Sequence, residues 1–295
     1  MSYNGCCFFA YNNDQIDYVK IAMLAALYVK KFMKNNNTCL ITTEGDYNWL
    51  LESQDTELAE RAFDEVVFTN NVEHKANVRK HHDSPWTTFD SHFKNSNKYL
   101  INTYSPFDKT LLLDIDYFVR NDSLDYLFEN DISVGMFDSA IDLRSDTSHL
   151  YEQYLNPVGI PMWWSTVVYF DKSEQSQQFF DMWAHITEDY DFYKFLYNWP
   201  GKMYRTDYCV SVASHILNGM QQGEHIHKII YGAMKYMDQK DDLIEIKDAD
   251  DWIFVSNDRD ENWKDILTRN KRDNLHVMNK RAIERNFDSM LEAVK

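Results

Sequence analysis

The sequence predicts an α/β protein built around a mainly parallel central sheet. Apolar runs of strand length alternate with segments of helical periodicity over residues 6–69, which is the pattern of βαβ units. A later run, KTLLLDIDYFV over residues 109–119, has the apolar character of a buried strand and carries two acids. No Pro-, Gly- or Ser-rich linker and no internal repeat divides the 295 residues. We therefore expect one domain over residues 1–295, with a regular first half (1–120) and a mixed second half (121–295).

The elements of the first half follow from its apolar periodicity. Asp14 precedes a segment of helical spacing that ends in lysines, so this acid is expected to open the first helix. The strands are predicted over residues 6–11, 39–43, 65–69 and 110–115, and the helices over residues 16–33 and 56–63. Residues 70–109 lack clear periodicity, and a stretch of that length in a compact domain is usually functional or contains short helices.

The second half combines strands and helices with less regularity. Asp122 or Ser123 is expected to cap one helix, because short polar side chains satisfy the free N–H groups of a first turn. Thr206 or Asp207 is expected to cap another for the same reason. The predicted helices lie over residues 123–130, 173–186, 206–217 and 281–294, and the predicted strands over residues 132–138, 165–171, 252–257 and 275–279.

The composition restricts the classes of partner and compartment. The chain carries 47 acidic and 30 basic side chains, a formal net charge of −17, which gives no electrostatic footprint for general nucleic-acid binding. A basic segment over residues 269–285 is either a solvated helix face or a site for a phosphate group. The four cysteines lack metal-binding spacing, which predicts reduced thiols. Since no apolar run approaches the roughly 20 residues of a membrane span and no signal-peptide pattern occurs, we expect a cytoplasmic protein without membrane association.

The two acids of the buried run, Asp114 and Asp116, need partners because an unpaired buried carboxylate costs several kcal/mol. In an extended strand, residues two apart point to the same side, and the carboxyl ends of strands are where open α/β sheets bind ligands. Two close carboxylates repel each other unless a cation lies beside them, and their oxygens suit Mg²⁺ or Mn²⁺. Under this interpretation, Asn at both positions leaves the fold intact or slightly stabilised. The plainer alternative is that one acid caps the next turn and the other is solvated.

Three motifs in order resemble the nucleotide-sugar-dependent glycosyltransferases of the GT-A fold, and the order covers most of the chain. TLLLDIDYFV is similar to the family's strand ending in Asp-x-Asp, LHVMNK to its late H-x-x-x-K segment, and TDYCVSVA to its helix that opens on an acid beside the sugar. SPFDKTLLLDIDYFV with WWSTVVYF looks most like phage and bacterial sequences whose acceptors are unassigned. Two other nucleotide-binding fingerprints are absent: no G-x-G-x-x-G follows the first strand, and no P-loop motif occurs.

The resemblance implies a GT-A-like three-layer α/β/α sandwich with a nucleotide-binding half (1–120) and a half for the acceptor and the donor sugar (121–295). It implies transfer of a sugar from a nucleotide sugar, with a UDP-sugar favoured, to a hydroxyl acceptor. A glycan, a protein or a hydroxymethylated DNA base remains open as acceptor, although the acidic charge counts mildly against duplex DNA. For a phage-encoded protein the compartment is the host cytoplasm.

The resemblance also implies a metal site with Mn²⁺ or Mg²⁺ as cofactor. Asp114, Asp116 and His276 would hold the ion, which bridges the donor diphosphate, so that Asp114 also belongs to the donor site. Lys280 would meet a phosphate directly. From the residues alone, a single histidine on a short strand is equally well explained as structural.

Other residues at element boundaries are implied to contact the substrates. Tyr11 and Asn12 would face the nucleotide base, and Arg79 would reach the donor from the long irregular stretch. Asp207 and Asp138 would serve sugar hydroxyls or act as a base. Helix capping is the plainer role for Asp207, and an ordinary surface position is the plainer one for Arg79.

One segment departs from the family pattern. Where many members have Asn-x-Gly before a strand, this chain has WWST over residues 163–166. The close backbone approach that glycine allows is lost, and Trp163 and Trp164 offer aromatic faces for a sugar or a base, with core packing as the alternative. Two other functions remain open: a haloacid-dehalogenase-like phosphatase, which also uses an apolar strand ending in Asp-x-Asp, and a non-catalytic sugar- or nucleotide-binding protein on the same fold.

Overall fold

The computed structural model describes residues 3–53, 56–70, 78–92, 94, 97–143, 154–155, 159–199, 203–221, 223, 225–230, 232–257 and 265–295. Its strands are β1 (Asn4–Phe9), β2 (Asn37–Thr42), β3 (Glu65–Phe68), β4 (Val78–His82), β5 (Thr88–His92), β6 (Lys109–Leu113), β7 (Tyr117–Phe118), β8 (Val134–Phe137), β9 (Ala140–Asp142), β10 (Trp164–Asp171), β11 (His227–Lys228), β12 (Met234–Met237), β13 (Asp242–Asp248), β14 (Asp251–Asn257), β15 (Asp265–Lys271) and β16 (Leu275–Val277). Its helices are α1 (Tyr18–Phe32), α2 (Glu44–Ser53), α3 (Thr56–Ala62), α4 (Ile101–Tyr104), α5 (Tyr126–Glu129), α6 (Glu174–Glu188), α7 (Tyr190–Leu196), α8 (Thr206–Leu217), α9 (Lys280–Arg285) and α10 (Phe287–Val294), with a 3₁₀ turn at Lys98–Leu100 before α4.

A seven-stranded central sheet confirms the predicted α/β class. Its strand order is β11-β8-β10-β6-β1-β2-β3, and every pair is parallel except the two that β10 makes with β8 and β6. The inner strands are near-continuous apolar runs because helices cover a parallel sheet on both faces. Helices α1, α3 and α10 pack together as one group and α6, α7 and α8 as another. The first group contacts β1 and β2 through α1, and the second contacts β8 and β10 through α6 and α8.

A smaller sheet has the strand order β7-β16-β12-β9. It pairs β16, from the end of the chain, with β7, from the middle of the chain. Tyr117 of β7 pairs with His276 of β16, and Tyr236 of β12 pairs with His276 from the other side. The hairpin β4-β5 and the sheet β13-β14-β15 complete the strands described. The hairpin and the turn at Lys98–Leu100 lie within residues 70–109, where the sequence lacks clear periodicity.

The acid pair does not lie on an extended strand, which corrects the geometry expected from the sequence. Strand β6 ends at Leu113, and Asp114–Asp116 form a turn in which the Tyr117 N–H donates to the Asp114 carbonyl over 2.9 Å. The turn, and not the alternation of a strand, brings the two carboxylates together. The expected position at the carboxyl end of the strand is confirmed.

Several predicted helix ends were wrong. Asp17, not Asp14, caps α1, because its side chain accepts from the Lys20 N–H. Neither Asp122 nor Ser123 caps α5. Helix α8 has no side-chain cap, since Arg205 occupies the cap position.

The predicted C-terminal helix is two helices separated at Asn286. Across the residues described, no helix combines the length and the apolar character that crossing a membrane requires.

Candidate functional site

A cavity of about 420 Å³ lies at the carboxyl ends of β1 and β6. This is the edge at which a parallel sheet binds its ligands. Hairpin β4-β5, the start of α8 and the segment around β16 also contribute walls. Eight of the eleven residues predicted from the sequence line it: Tyr11, Arg79, Asp114, Asp116, Trp164, Asp207, His276 and Lys280.

The floor of the cavity is the turn after β6. The Asp114 N–H donates to the Thr166 carbonyl of β10 over 2.9 Å, and the Val277 N–H of β16 donates to the Asp116 carbonyl over 2.8 Å. Backbone bonds to two different sheets therefore fix the turn. These bonds set the backbone positions from which the two carboxylates project.

Asp114, Asp116 and His276 form a group that fits a divalent ion. One ligand atom from each lies within 4.8 Å of the others, and among the residues described no other group of three such side chains comes together. His276 Nε2 is 3.2 Å from Asp116 Oδ1. Two carboxylates and one imidazole are a donor set that Mn²⁺ accepts well, and the oxygens also suit Mg²⁺. The structure thus brings together the three residues predicted to hold the metal.

Each carboxylate of the pair also has a lysine partner. Lys280 Nζ lies 2.6 Å from Asp116 Oδ2, and Lys98 Nζ contacts Asp114 Oδ1. Burial alone raises the pKa of Asp116, but Lys280 and His276 hold it well below its usual range. Burial lowers the pKa of Lys280, yet the nearby Asp116 charge keeps it above its usual value. Both groups are therefore ionised at neutral pH.

Asp207 forms a second anionic point on the wall of the cavity. Its Oδ1 accepts from the Ser165 N–H (2.9 Å) and the Ser165 hydroxyl (2.8 Å), and its Oδ2 lies 3.2 Å from Arg205 Nη2. Burial raises the pKa of Asp207, but Arg205 and the Ser165 bonds outweigh burial and lower it. The Arg205 guanidinium lies over the rings of Tyr208 (4.9 Å) and Trp164 (6.0 Å). Asp207 is thus an oriented, ionised acceptor beside an aromatic wall.

The opposite wall comes from β1 and the hairpin. The Tyr11 hydroxyl shares a 3.0 Å hydrogen bond with Thr69, and burial raises the pKa of Tyr11 to about 12. Arg79 donates to the Tyr204 carbonyl over 2.8 Å, which ties β4 to the segment before α8. His81 stacks on Phe89, and burial together with the Lys280 and Arg79 charges lowers the pKa of His81 to about 4. His81 is therefore neutral at pH 7.

The cavity is cationic although the chain is strongly acidic. Its acidic lining residues are Asp114, Asp116, Asp207 and Asp238, and its basic ones are Arg79, Lys80, Lys94, Lys98, Arg205 and Lys280. Two positive charges are in excess here, against −17 for the whole chain. A local positive potential of this kind concentrates anionic ligands such as a diphosphate.

Three predicted residues lie elsewhere. The Asn12 side chain accepts from the Val19 N–H over 3.0 Å and so organises the start of α1. Asp138 pairs with Lys228 over 2.7 Å and, together with Trp163, lines a separate cavity of about 420 Å³ beside α8. The adjacent tryptophans point to different cavities because neighbouring residues of an extended chain face opposite sides.

Two residues of the site were not identified from the sequence. Lys98 lies in the aperiodic stretch, and nothing around it distinguishes it from a surface lysine. Arg205 occupies the cap position of α8, whereas the cap was expected from the sequence at Thr206 or Asp207. In both cases the signal exists only in three dimensions, as an ion pair with an acid that the sequence did identify.

Comparison with known proteins gives matches among solved structures only. No protein-family model and no curated protein matches the chain. Glycosyltransferase GlyE of Streptococcus pneumoniae TIGR4 is 14% identical over 76% of this chain, with a TM-score of 0.43, and the match covers only 45% of the GlyE chain. Galactosyltransferase LgtC, solved with donor and acceptor sugar analogues, is 17% identical over 76% of this chain and 72% of its own, with a TM-score of 0.44. Mouse xyloside xylosyltransferase 1 is 13% identical over 76% of this chain and 84% of its own, with a TM-score of 0.45.

All three TM-scores are below 0.5, and all three sequences are less than 20% identical to this chain. Similarities of this size do not specify a donor or an acceptor. Those have to be inferred from the side chains of the cavity.

Proposed function

We propose that this protein is a metal-dependent glycosyltransferase that moves a sugar from a nucleotide diphosphate sugar, with a UDP-sugar favoured, to a hydroxyl acceptor. The observation that carries the proposal is the convergence of Asp114, Asp116 and His276 with Lys280 in a cationic cavity at the carboxyl edge of the sheet. A diphosphate is commonly bound by a divalent ion together with a cationic side chain. The carboxylate pair would hold the ion, and the lysine would supply the side chain.

The three ligands would hold Mn²⁺ or Mg²⁺. When bound, such an ion supplies Lewis-acid neutralisation of the charge that develops on a departing diphosphate. Lys280 is placed to donate to a phosphate oxygen from the start of α9, beside the metal ligands. Arg79 adds a second cation from the hairpin. These groups are held by packing, so little reorganisation is required as the charge develops.

The remaining lining residues are assigned to the two ends of the donor. Tyr11 stands at the end of β1, where its ring is available to the nucleotide base. Asp207, held ionised by Arg205 and Ser165, is placed to accept from hydroxyls of the donor sugar, with the Trp164 ring alongside. We assign no catalytic role to Asp138, because it is paired with Lys228 in the separate cavity.

The acceptor is proposed only as a hydroxyl of a glycan, a protein or a modified base. A charge of −17 makes duplex DNA the least favourable of the three. All four cysteines are free and buried, which supports a reducing, cytoplasmic compartment. The phosphatase alternative is not favoured, since Tyr117 and Phe118 after the acids are buried in β7 rather than small and open.

Calorimetry with UDP and Mn²⁺ tests the proposal. UDP is expected to bind when Mn²⁺ is present and far more weakly in EDTA, and a ligand at 100 times its Kd should raise the free energy of unfolding by about 2.7 kcal/mol. Asp122→Asn changes an exposed acid beyond the turn. It is the matched control for Asn substitutions of Asp114 and Asp116, and it should behave as wild type. Equal UDP affinity in EDTA and in Mn²⁺ would contradict a metal-bridged diphosphate.

A panel of nucleotide sugars with Mn²⁺, followed by thermal shift and by release of UDP, separates the enzyme from a binding protein. The enzyme should release UDP from at least one donor, slowly to water and faster with an acceptor. Tight binding of a UDP-sugar without any release of UDP would identify a non-catalytic protein on the same fold.

A further inference from the structure

We propose that Lys98 is an exchangeable counter-ion that makes the divalent ion and the nucleotide diphosphate bind cooperatively. The inference rests on the proposed function, since it concerns the same cavity. Lys98 contacts Asp114 Oδ1, an atom of the group that fits the metal. An ammonium group and a divalent ion cannot share that oxygen at close range, so Lys98 has to leave Asp114 for the ion to bind there.

Lys98 cannot leave without a cost. Its side chain is only 6% exposed, so the ammonium group has almost no access to water. A buried ammonium group without a partner is strongly unfavourable. Metal binding at Asp114 therefore requires another anion to form an ion pair with Lys98.

Two other acids that line the cavity, Asp116 and Asp207, are each already paired with a cation. Lys98 is close enough to Asp207 for its charge to lower the pKa of that acid. However, Asp207 Oδ1 already accepts two bonds from Ser165, and Oδ2 is paired with Arg205. Asp116 is likewise occupied by Lys280 and His276. A diphosphate oxygen, which brings negative charge that no cation of the protein yet neutralises, is therefore the partner that we infer for Lys98.

The charge of the cavity leads to the same conclusion independently. The lining has two positive charges in excess before any ligand enters. A divalent ion alone increases that excess, whereas a diphosphate offsets it. Each ligand should therefore strengthen the binding of the other by the same factor, as thermodynamic linkage requires.

The test is a set of four affinities for wild type: Mn²⁺ alone, Mn²⁺ with saturating UDP, UDP alone, and UDP with saturating Mn²⁺. Free Mn²⁺ can be counted directly by electron paramagnetic resonance. The coupling factor for wild type is expected to be about 5- to 150-fold, the usual range for linked sites. A factor near one would overturn the proposal without any variant.

The decisive variant is Lys98→Met, which keeps the apolar stem and removes the charge. Mn²⁺ alone should bind this variant more tightly than wild type by about fivefold or more, and the coupling factor should fall below the wild-type value, to the part that direct contact between ion and diphosphate supplies. Lys98→Arg restores a cation and should restore the coupling. Lys94→Met is the control for lining charge: it removes one positive charge from the same cavity but leaves the pair of Lys98 with Asp114, so it should strengthen Mn²⁺ binding by less than Lys98→Met does.

The outcomes separate this proposal from the proposed function. If UDP fails to bind wild type under any condition, the proposed function fails, while the comparison of Mn²⁺ alone between wild type and Lys98→Met still tests the competition. If Lys98→Met binds Mn²⁺ alone no better than wild type, or if Lys94→Met reproduces its effect, Lys98 does not compete with the ion and the inference is overturned.

Discussion

Lys280 Nζ lies 2.6 Å from Asp116 Oδ2, and Asp116 is buried at the floor of the cavity. The same carboxylate is therefore a candidate metal ligand and one half of a buried ion pair. This double role changes what substitution of the acid is expected to do.

Asp116→Asn should lower the stability of the protein measured in EDTA. Removing one partner of a buried pair leaves the other charge uncompensated, at a cost of about 3–5 kcal/mol. The sequence alone predicts the opposite, a relief of repulsion, but each acid has its own lysine, which argues for a loss of stability. Thermal melting of the two single variants is the measurement, and Asp114→Asn should also lose stability, because it leaves the buried Lys98 ammonium group without this partner. An Asp116→Asn protein that melts at or above wild type would show that the pair does not stabilise the fold.

His276→Ala should weaken Mn²⁺ binding in the presence of UDP without abolishing it. Two carboxylates and the diphosphate oxygens remain as ligands, so the loss is expected to be on the order of tenfold, or about 1.4 kcal/mol. The double variant Asp114→Asn/Asp116→Asn should bind far less. Mn²⁺ titration of both variants measures the ranking, and the reverse order would remove the carboxylates from the metal site.

Asp207→Asn should reduce turnover by about 10²-fold or more while UDP affinity stays within about twofold of wild type. The reason is that Asp207 is assigned to the donor sugar and not to the diphosphate. Product formation and UDP calorimetry measure the two effects separately. The comparison variant is Asp138→Asn: its pairing with Lys228 predicts retained turnover, and loss of turnover there would restore the catalytic role that the sequence suggested.

Asp17→Asn should stabilise the protein at neutral pH and leave it unchanged in acid. Burial raises the pKa of Asp17 from 3.8 to about 6, so the wild-type protein loses stability as pH rises through this window and the acid ionises. Asparagine keeps the acceptor for the Lys20 N–H and cannot ionise. The difference in free energy of unfolding should be near zero below pH 4 and reach at most about 3 kcal/mol above pH 6. A difference that does not vary between pH 4 and 7 would mean that Asp17 ionises normally.

The sequence predicted those parts of the fold that local periodicity encodes. Apart from α2, which was missed, the alternating elements at the start of the chain, strand β10 and helix α6 were predicted within a few residues, because apolar spacing is a local property. The short strands β7, β9 and β12 were missed. They have two to four residues each, and their pairing is determined by distant partners.

The same distinction holds for the site. Asp114, Asp116 and His276 were identified from motifs, and the structure brings them together. The turn between the acids was not predicted, because Ile115 and Tyr117 are buried and continue the apolar pattern of a strand. Lys98 was missed because the sequence around it contains no motif that predicts an ion pair with an acid.

The pairing of Asp116 with Lys280 also has a consequence for how the chain folds. The two residues are 164 positions apart, so during synthesis Asp116 leaves the ribosome long before Lys280 does. Strands β1, β2, β3 and β6 can assemble early, but Asp116 has to stay hydrated until β16 and α9 dock. Contacts between residues this distant in sequence form slowly. The first half should therefore gain its secondary structure well before the cavity closes, and the active protein should appear only in the last phase of refolding.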